Sequence, residues 1–212
     1  EFRRVLFRSI VHLRMTGRLY VTEPDVVHDA DRWLRVQFGL DDGRQLRFSD
    51  VRKFGRVSLA TDVEQITGVL GPEPLDDAFT LAVFNERLQG RNKLIKALLL
   101  DQTFIAGVGN IYADEALFRA GIHPQRRSNS LTDDEIARLH TTVQAALADG
   151  VQHEGASINW YRKADGTKGN SQEHFYVYGR EGKPCRNCGH MIEKIRVAQR
   201  GTHFCPICQP FE

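Results

Sequence analysis

The chain has 212 residues, 41% hydrophobic and 26% charged, which are the proportions of an ordinary globular protein of one large or two small domains. It contains no apolar run of about 18 residues, which excludes a transmembrane helix, and its start is too short of apolar residues for a secretory signal. A formal net charge of +2 identifies no partner by itself.

The first residues, Glu1-Phe2-Arg3-Arg4, lack an initiator Met, so the chain is not expected to begin where the natural protein begins. Residues 10–60 then read as strands. Val11–Met15 is followed by the turn signal Thr16-Gly17. Trp33–Phe38 alternates apolar with polar and stops at Gly39. Asp42-Gly43 marks a hairpin, and Gln45–Phe48 resumes the alternation. Val57–Leu59 predicts a further strand. Between Arg44 and Arg56 five basic residues (Arg44, Arg47, Arg52, Lys53, Arg56) stand against the one acid Asp50, an asymmetry that makes either a phosphate-attracting face or a plain solvated surface.

Gly71-Pro72-Glu73-Pro74 breaks the pattern and predicts a domain boundary. Helical spacing follows. Leu81, Phe84 and Leu88 share one face, and Leu94, Ile95, Leu98 and Leu99 form the next stripe. A third helix is predicted from Asn110, ended by Gly121 and Pro124. A fourth carries a capping box at Thr132 and Glu135, a stripe at Ile136, Leu139, Val143 and Leu147, and a predicted stop at Gly150. The polar segment 159–173 reads as a flexible loop.

All four cysteines lie in the tail. Cys185-x-x-Cys188 and Cys205-x-x-Cys208 are separated by 16 residues. Two such knuckles suit one tetrahedral Zn²⁺, because each short turn presents two thiolates to the same ion; the alternatives are two disulfides or four free thiols. Four thiolates close the coordination shell, so the metal is expected to be structural, supplying folding energy to a tail with little core of its own. The densest polar chemistry is Ile105-Ala-Gly-Val-Gly-Asn110-Ile-Tyr-Ala-Asp-Glu115. Two glycines before a helix N-terminus let backbone N–H groups approach an anion, and Asn110 can cap the helix and donate to a phosphate. The bland reading is a helix-linking turn.

Lys96 through Phe118, running on to Gly121-Ile-His-Pro124, resembles the helix-two-turns-helix element of formamidopyrimidine-DNA glycosylases. Further blocks match in the same order. His12-Leu-Arg-Met-Thr-Gly17 and Asp50-Val-Arg-Lys-Phe-Gly55 resemble the family's DNA-intercalating loops. Gly71–Leu75 resembles its interdomain segment. Val177-Tyr-Gly-Arg180 with Pro184-Cys185, and Arg200 through Gln209, resemble its zinc finger. The resemblance covers residues 10–209. It implies an α+β multidomain fold: a partial N-terminal β-sandwich over residues 1–68, a helix-two-turns-helix domain with its loop over 71–172, and a zinc-finger β-hairpin over 173–212.

The resemblance also implies a base-excision-repair DNA glycosylase and abasic-site lyase for oxidised purines such as 8-oxoguanine and formamidopyrimidines. It implies double-stranded damaged DNA as partner, a monomer acting in the bacterial cytoplasm, and one structural Zn²⁺ on Cys185, Cys188, Cys205 and Cys208. Base flipping leaves a gap in the duplex. Met15, Arg52 and Phe54 match the residues that fill it, with Phe as wedge, Met as adaptable filler and Arg as donor to the orphaned base. Phosphate contacts fall to His12, His28, Arg91, Lys96, Asn110 and Tyr178, with Arg200 also implied in strand cleavage. The bland readings are core packing for Met15 and Phe54 and a surface ion pair for Arg52.

The sequence departs from the family at its start. The family's nucleophile is the amine of an N-terminal Pro followed by a Glu, aided by an upstream Lys. No residues here match them, residues 1–9 match no family block, and Glu1 follows no Pro. The expectation is a truncated or mis-joined chain that binds damaged or abasic DNA weakly and neither excises bases nor nicks the strand. The alternatives are an endonuclease VIII-like glycosylase for oxidised pyrimidines, a non-catalytic zinc-containing DNA-binding module, and a zinc-ribbon module that binds protein.

Overall fold

The structure, a computed structural model, describes residues 8–156 and 169–211. They form two compact units, Glu1–Gly68 with Ala156–Gln172, and Val69–Gly155 with Glu173–Glu212. The metal-knuckle tail thus belongs to the helical unit rather than standing apart. Most of the predicted loop 159–173 lies outside the described residues.

In the first unit, β1 (Arg8–His12) pairs antiparallel with β5 (Arg56–Ala60). A separate antiparallel sheet has the order β2-β4-β3, built from β2 (Gly17–Thr22), β3 (Leu34–Gly39) and β4 (Gln45–Asp50). The Asp42-Gly43 turn joins β3 to β4, with Gly43 at a φ of 87°. Tyr20 and Phe48 are buried on opposite faces of this sheet, Tyr20 across from Arg47 and beside Ser49, Phe48 across from Leu19 and Val36. A polar knot closes one side of this sheet. Arg47 is buried and donates to Asp31 at 2.8 Å and to the Val26 and Pro24 carbonyls at 2.9 and 3.0 Å. The Tyr20 hydroxyl donates to Asp31 at 2.5 Å, and the His28 N–H does so at 2.7 Å. A guanidinium surrounded by acceptors satisfies several buried groups at once, which is why Arg rather than Lys serves here.

Near the start of the second unit, the Gly71 N–H donates to the Gln102 carbonyl at 2.8 Å. A Cβ there would lie 2.6 Å from the Phe104 backbone, so only glycine allows this approach. Beyond the short α1 (Glu64–Thr67) of the first unit, the helices are α2 (Leu81–Leu88), α3 (Ile95–Leu99), α4 (Asn110–Ala120) and α5 (Asp133–Gln152). Phe84, Ile95, Leu98, Leu117 and Leu139 form their common core. The predicted capping box is present: Thr132 Oγ1 accepts from the Glu135 N–H, and Glu135 accepts from the Thr132 N–H. Gly121 ends α4 in the left-handed conformation, φ 72°. Two expectations are corrected. Gly150 does not stop α5, which runs on to Gln152; it is buried against the Tyr112 ring, where a side chain would collide. Asn110 is not the cap of α4, since Gly109 holds that position and Asn110 is the first helical residue.

The tail folds as β6 (Glu193–Val197) paired antiparallel with β7 (Arg200–Phe204), and Phe118 of α4 packs with Val177, Cys185, Ile192 and Cys205. Lys96 is the third correction. Its ammonium is fully buried, 2.6 Å from the Asp114 carboxylate, and donates to Thr202 Oγ1 at 2.7 Å and the Gly201 carbonyl at 3.1 Å. All of its hydrogen-bonding capacity is used inside the chain, so it is a strut joining α3, α4 and β7 and not a surface phosphate contact.

A buried ion pair is costly to break but replaceable as a unit. Asp114→Ala is expected to destabilise the helical unit by about 3–5 kcal/mol. Lys96→Met combined with Asp114→Leu should recover most of that in urea unfolding, and a double variant as unstable as the single one would contradict it. In the first unit, burial pushes the Asp31 carboxyl up, but the Tyr20, His28 and Arg47 donors outweigh it and hold it below its ordinary value. A depressed carboxylate contributes stability that is complete above its unfolded pKa and is lost as pH falls through the folded value. The protection of amides in the β2-β4-β3 sheet, taken relative to intrinsic exchange at the same pH, should therefore fall as pH drops below about 4, and Asp31→Asn should flatten part of that dependence.

Candidate nucleic-acid interface and metal centre

The four cysteine sulfurs lie within 4.8 Å of one another, with Cys185–Cys208 at 3.8 Å and Cys188–Cys205 at 3.5 Å. A tetrahedral ion with Zn–S bonds of about 2.3 Å spaces its sulfurs by roughly 3.8 Å, so the cluster fits one zinc with no sulfur displaced far. Backbone N–H groups of Asn187 and Cys208 donate to Cys185 and Cys205 sulfur at 3.4 and 3.5 Å, the arrangement that lets a two-residue knuckle carry thiolates. Although burial pushes the Cys185 thiol up, the Cys188 and Asn187 N–H groups bring it down to about 7. Burial and the neighbouring sulfurs push Cys208 up. Four sulfurs this close suit one shared cation, and all four tetrahedral positions are then taken by protein, which makes the metal structural. Gln209 anchors the second knuckle: it accepts from the Cys205 N–H at 3.0 Å and donates to the Ile122 carbonyl at 2.8 Å beyond α4.

Several of the predicted DNA-contact residues converge around Gly201. Asn110 Nδ2 donates to the Gly201 carbonyl at 3.0 Å, the same oxygen that Lys96 engages. Arg200 is the exposed residue just before it. The Tyr178 ring meets His203 edge-on at 4.9 Å, and the His203 N–H donates to Asp114 at 2.9 Å. Arg200 follows a tight turn in which Ala198 and Gln199 both take positive φ, 46° and 64°. The turn before Asn110 is held by Gln102, whose side chain accepts from the Gly107 N–H at 2.9 Å and donates to the Val108 carbonyl at 3.0 Å. Arg91 is half-buried, and its carbonyl accepts from Ser128 Oγ at 2.9 Å, away from this cluster.

The first unit gathers another set. Met15 and Phe54 are 69% and 60% exposed, which removes core packing as their role. The Arg52 guanidinium lies 5.2 Å from the centre of the Phe54 ring. His12 ends β1, and its Nδ1 accepts from the Arg14 N–H at 3.1 Å. His28 stands apart in the polar knot, with Nε2 2.9 Å from Thr22 Oγ1.

Sequence reasoning missed the carboxylates that organise both sets. Asp50 lies beneath the Met15 and Phe54 loops, and Asp114 and Glu115 are buried in α4. Glu115 accepts from the Tyr176, Val177 and Tyr178 N–H groups, each at 2.9 Å, and fixes the backbone that carries Tyr178. The available signal was two adjacent acids inside an apolar helical stretch, between Ala113 and Ala116.

Comparison with known proteins agrees with this organisation. Residues 7–57 match the formamidopyrimidine-DNA glycosylase N-terminal domain, 70–162 the formamidopyrimidine-DNA glycosylase H2TH domain, and 182–210 the zinc finger found in FPG and IleRS. The formamidopyrimidine-DNA glycosylase of Herpetosiphon aurantiacus is 52% identical over 202 residues, 94% of this chain and 73% of that protein. Its counterpart in Chloroflexus aggregans is 53% identical over 201 residues, 94% of this chain and 72% of that protein. The structure superposes on Lactococcus lactis Fpg in complex with abasic-site DNA with a TM-score of 0.86 at 38% identity, covering 96% of this chain and 75% of that one. It matches the MutM (FPG) protein of Thermus thermophilus with a TM-score of 0.86 at 42% identity, covering 97% of this chain and 77% of that one. With three family segments in order along its length and relatives at half identity across most of theirs, the chain belongs to the formamidopyrimidine-DNA glycosylase family.

Proposed function

We propose that this chain grips double-stranded DNA at a damaged or abasic site, as the lesion-holding part of a glycosylase and abasic-site lyase that removes oxidised purines. The observation that carries the reading is the exposure of Met15 and Phe54 on loops that are both hydrogen-bonded to the buried Asp50 carboxylate. Large apolar side chains held out into water without a core role suit insertion into a base stack. In this reading Phe54 wedges between bases, Met15 fills the space of the flipped nucleotide, and Arg52 donates to the unpaired base. Asn110, Tyr178, Arg91, His12 and His28 contact phosphates. Lys96 acts from within, by holding the Gly201 carbonyl beside Arg200. Arg200, whose guanidinium follows a strained turn, supports strand cleavage by steadying a phosphate.

Zinc, when bound to the four cysteines, supplies the crosslink that holds β6 and β7 in register. Excision itself calls for an amine nucleophile that attacks the sugar C1′. The family resemblance assigns that role to an N-terminal Pro with no match in these 212 residues. A polypeptide of these residues alone is therefore expected to bind lesion DNA without forming a covalent adduct.

Equilibrium binding to an abasic-site duplex should be tighter than to the undamaged duplex and should weaken steeply with salt, as expected when phosphates are neutralised. Borohydride should trap no adduct. Equal affinity for both duplexes would refute the lesion-holding role, and a trapped adduct would show that an amine within these 212 residues serves as nucleophile. Metal analysis should find one zinc per chain. Removing it with a chelator should abolish duplex binding and readdition should restore it, whereas undiminished binding by the metal-free chain would detach the knuckles from DNA recognition.

A further inference from the structure

Both apolar tips sit on loops that side-chain packing does not hold. What fixes them is hydrogen bonding that converges on one group, from a side-chain hydroxyl of the first loop and two backbone N–H groups of the second. Asp50 is the last residue of β4 and is 1% exposed. Its Oδ1 accepts from the hydroxyl of Thr16, the residue after Met15, and from the Arg52 N–H at 3.2 Å. Its Oδ2 accepts from the Gly55 N–H, just after Phe54, at 2.7 Å. Its backbone carbonyl accepts from Arg35 Nε at 3.0 Å, and its register partner in β2 is Gly17.

We propose that Asp50 is the positioning residue of the lesion-filling set, a single buried carboxylate that holds Met15, Arg52 and Phe54 in their working places before DNA arrives. The inference rests on the lesion-gripping reading above and deepens it.

The chemistry of the group is selective. An ionised carboxylate only accepts, and it offers about four lone-pair positions to the donors converging here. An amide in its place would turn an NH₂ toward an N–H or O–H and leave a buried donor without a partner. The loops also contain residues that relax unless held. Arg14, before Met15, has φ 55°, and Lys53, between Arg52 and Phe54, has φ 61°. Non-glycine residues in this region persist where the surroundings over-determine them. Ordering the loops in advance removes a cost that binding would otherwise meet.

The test compares the zinc-loaded chain with Asp50→Asn and with the milder Thr16→Val, on an abasic-analogue duplex and on the undamaged duplex of the same sequence. Melting curves establish that each variant folds. Asp50→Asn is expected to weaken abasic binding on the order of tenfold, about 1.4 kcal/mol, with undamaged binding and its salt slope unchanged. Thr16→Val should give a smaller loss in the same direction. Phe54→Ala should then cost much less in the Asp50→Asn background than in the wild type, because a misplaced wedge has little left to lose. The proposal is overturned if Asp50→Asn keeps the abasic preference, or if both affinities fall together. If Asp50→Asn does not fold, Thr16→Val and its cycle with Phe54→Ala decide by the same criteria. A wild-type chain with no abasic preference would instead overturn the lesion-gripping reading, so the two failures are distinguishable.

Discussion

The helical unit depends on two neighbouring carboxylates in the middle of α4. Asp114 and Glu115 are each 1% exposed. Charges in such a place persist only when paired or hydrogen-bonded. Asp114 meets the Lys96 ammonium and the His203 N–H, and so binds β7. Glu115 meets three consecutive backbone N–H groups and so binds the strap that carries Tyr178. Burial pushes the Glu115 carboxyl up even though those three donors pull it down. A helix with apolar residues at both positions could pack a core, but it could not dictate where two irregular segments of the tail lie. The specificity comes from directional bonds that a purely apolar surface lacks.

The metal complements this arrangement. The tail has few apolar residues of its own, and its core joins that of α4 through Phe118. Thiolate coordination fixes the two knuckles to each other, while Gln209 and the α4 carboxylates fix the tail to the helices. Without the first constraint the hairpin has no internal anchor. Without the second it has no defined place to present Arg200. Zinc therefore contributes to DNA recognition only indirectly, through the backbone it rigidifies.

Much of this was legible in the sequence because it depends on local spacing. The knuckles, the capping box at Thr132, the Asp42-Gly43 turn and the left-handed Gly121 are short-range patterns whose physics needs no partner from afar. What was not legible depends on long-range pairing. Lys96 reads as a surface cation, because nothing near it in the chain announces that Asp114 and Thr202 surround it. Gly150 reads as a helix stop until the Tyr112 ring is known to lie against it. Asn110 has the right chemistry for a cap, but Gly109 takes that position and frees the amide for Gly201. Asp50 was visible as a lone acid among five bases. Its role required the β2–β4 register, which brings Gly17 opposite it and Thr16 within reach.

Backbone strain recurs at the exposed tips of each unit taken by itself. Five non-glycine residues among those described have positive φ, and four of them adjoin the proposed DNA contacts: Arg14 beside Met15, Lys53 between Arg52 and Phe54, and Ala198 and Gln199 before Arg200. Each such residue costs on the order of 1 kcal/mol or more. Hairpin turns of this kind usually recruit Asn and Gly, so Ala198-Gln199 is not there for ease of folding. In every case a polar anchor stands at the base of the strained tip. Asp50 holds the first two. The Val197–Arg200 pairing, with Lys96 and Asn110 on the Gly201 carbonyl, holds the third. Tips placed this way keep their side chains in water at a fixed height, which relaxed loops with the same residues would not do. The buried acids and the strained exposed turns are thus two halves of one device, and weakening an anchor should relax its tip long before it unfolds the domain.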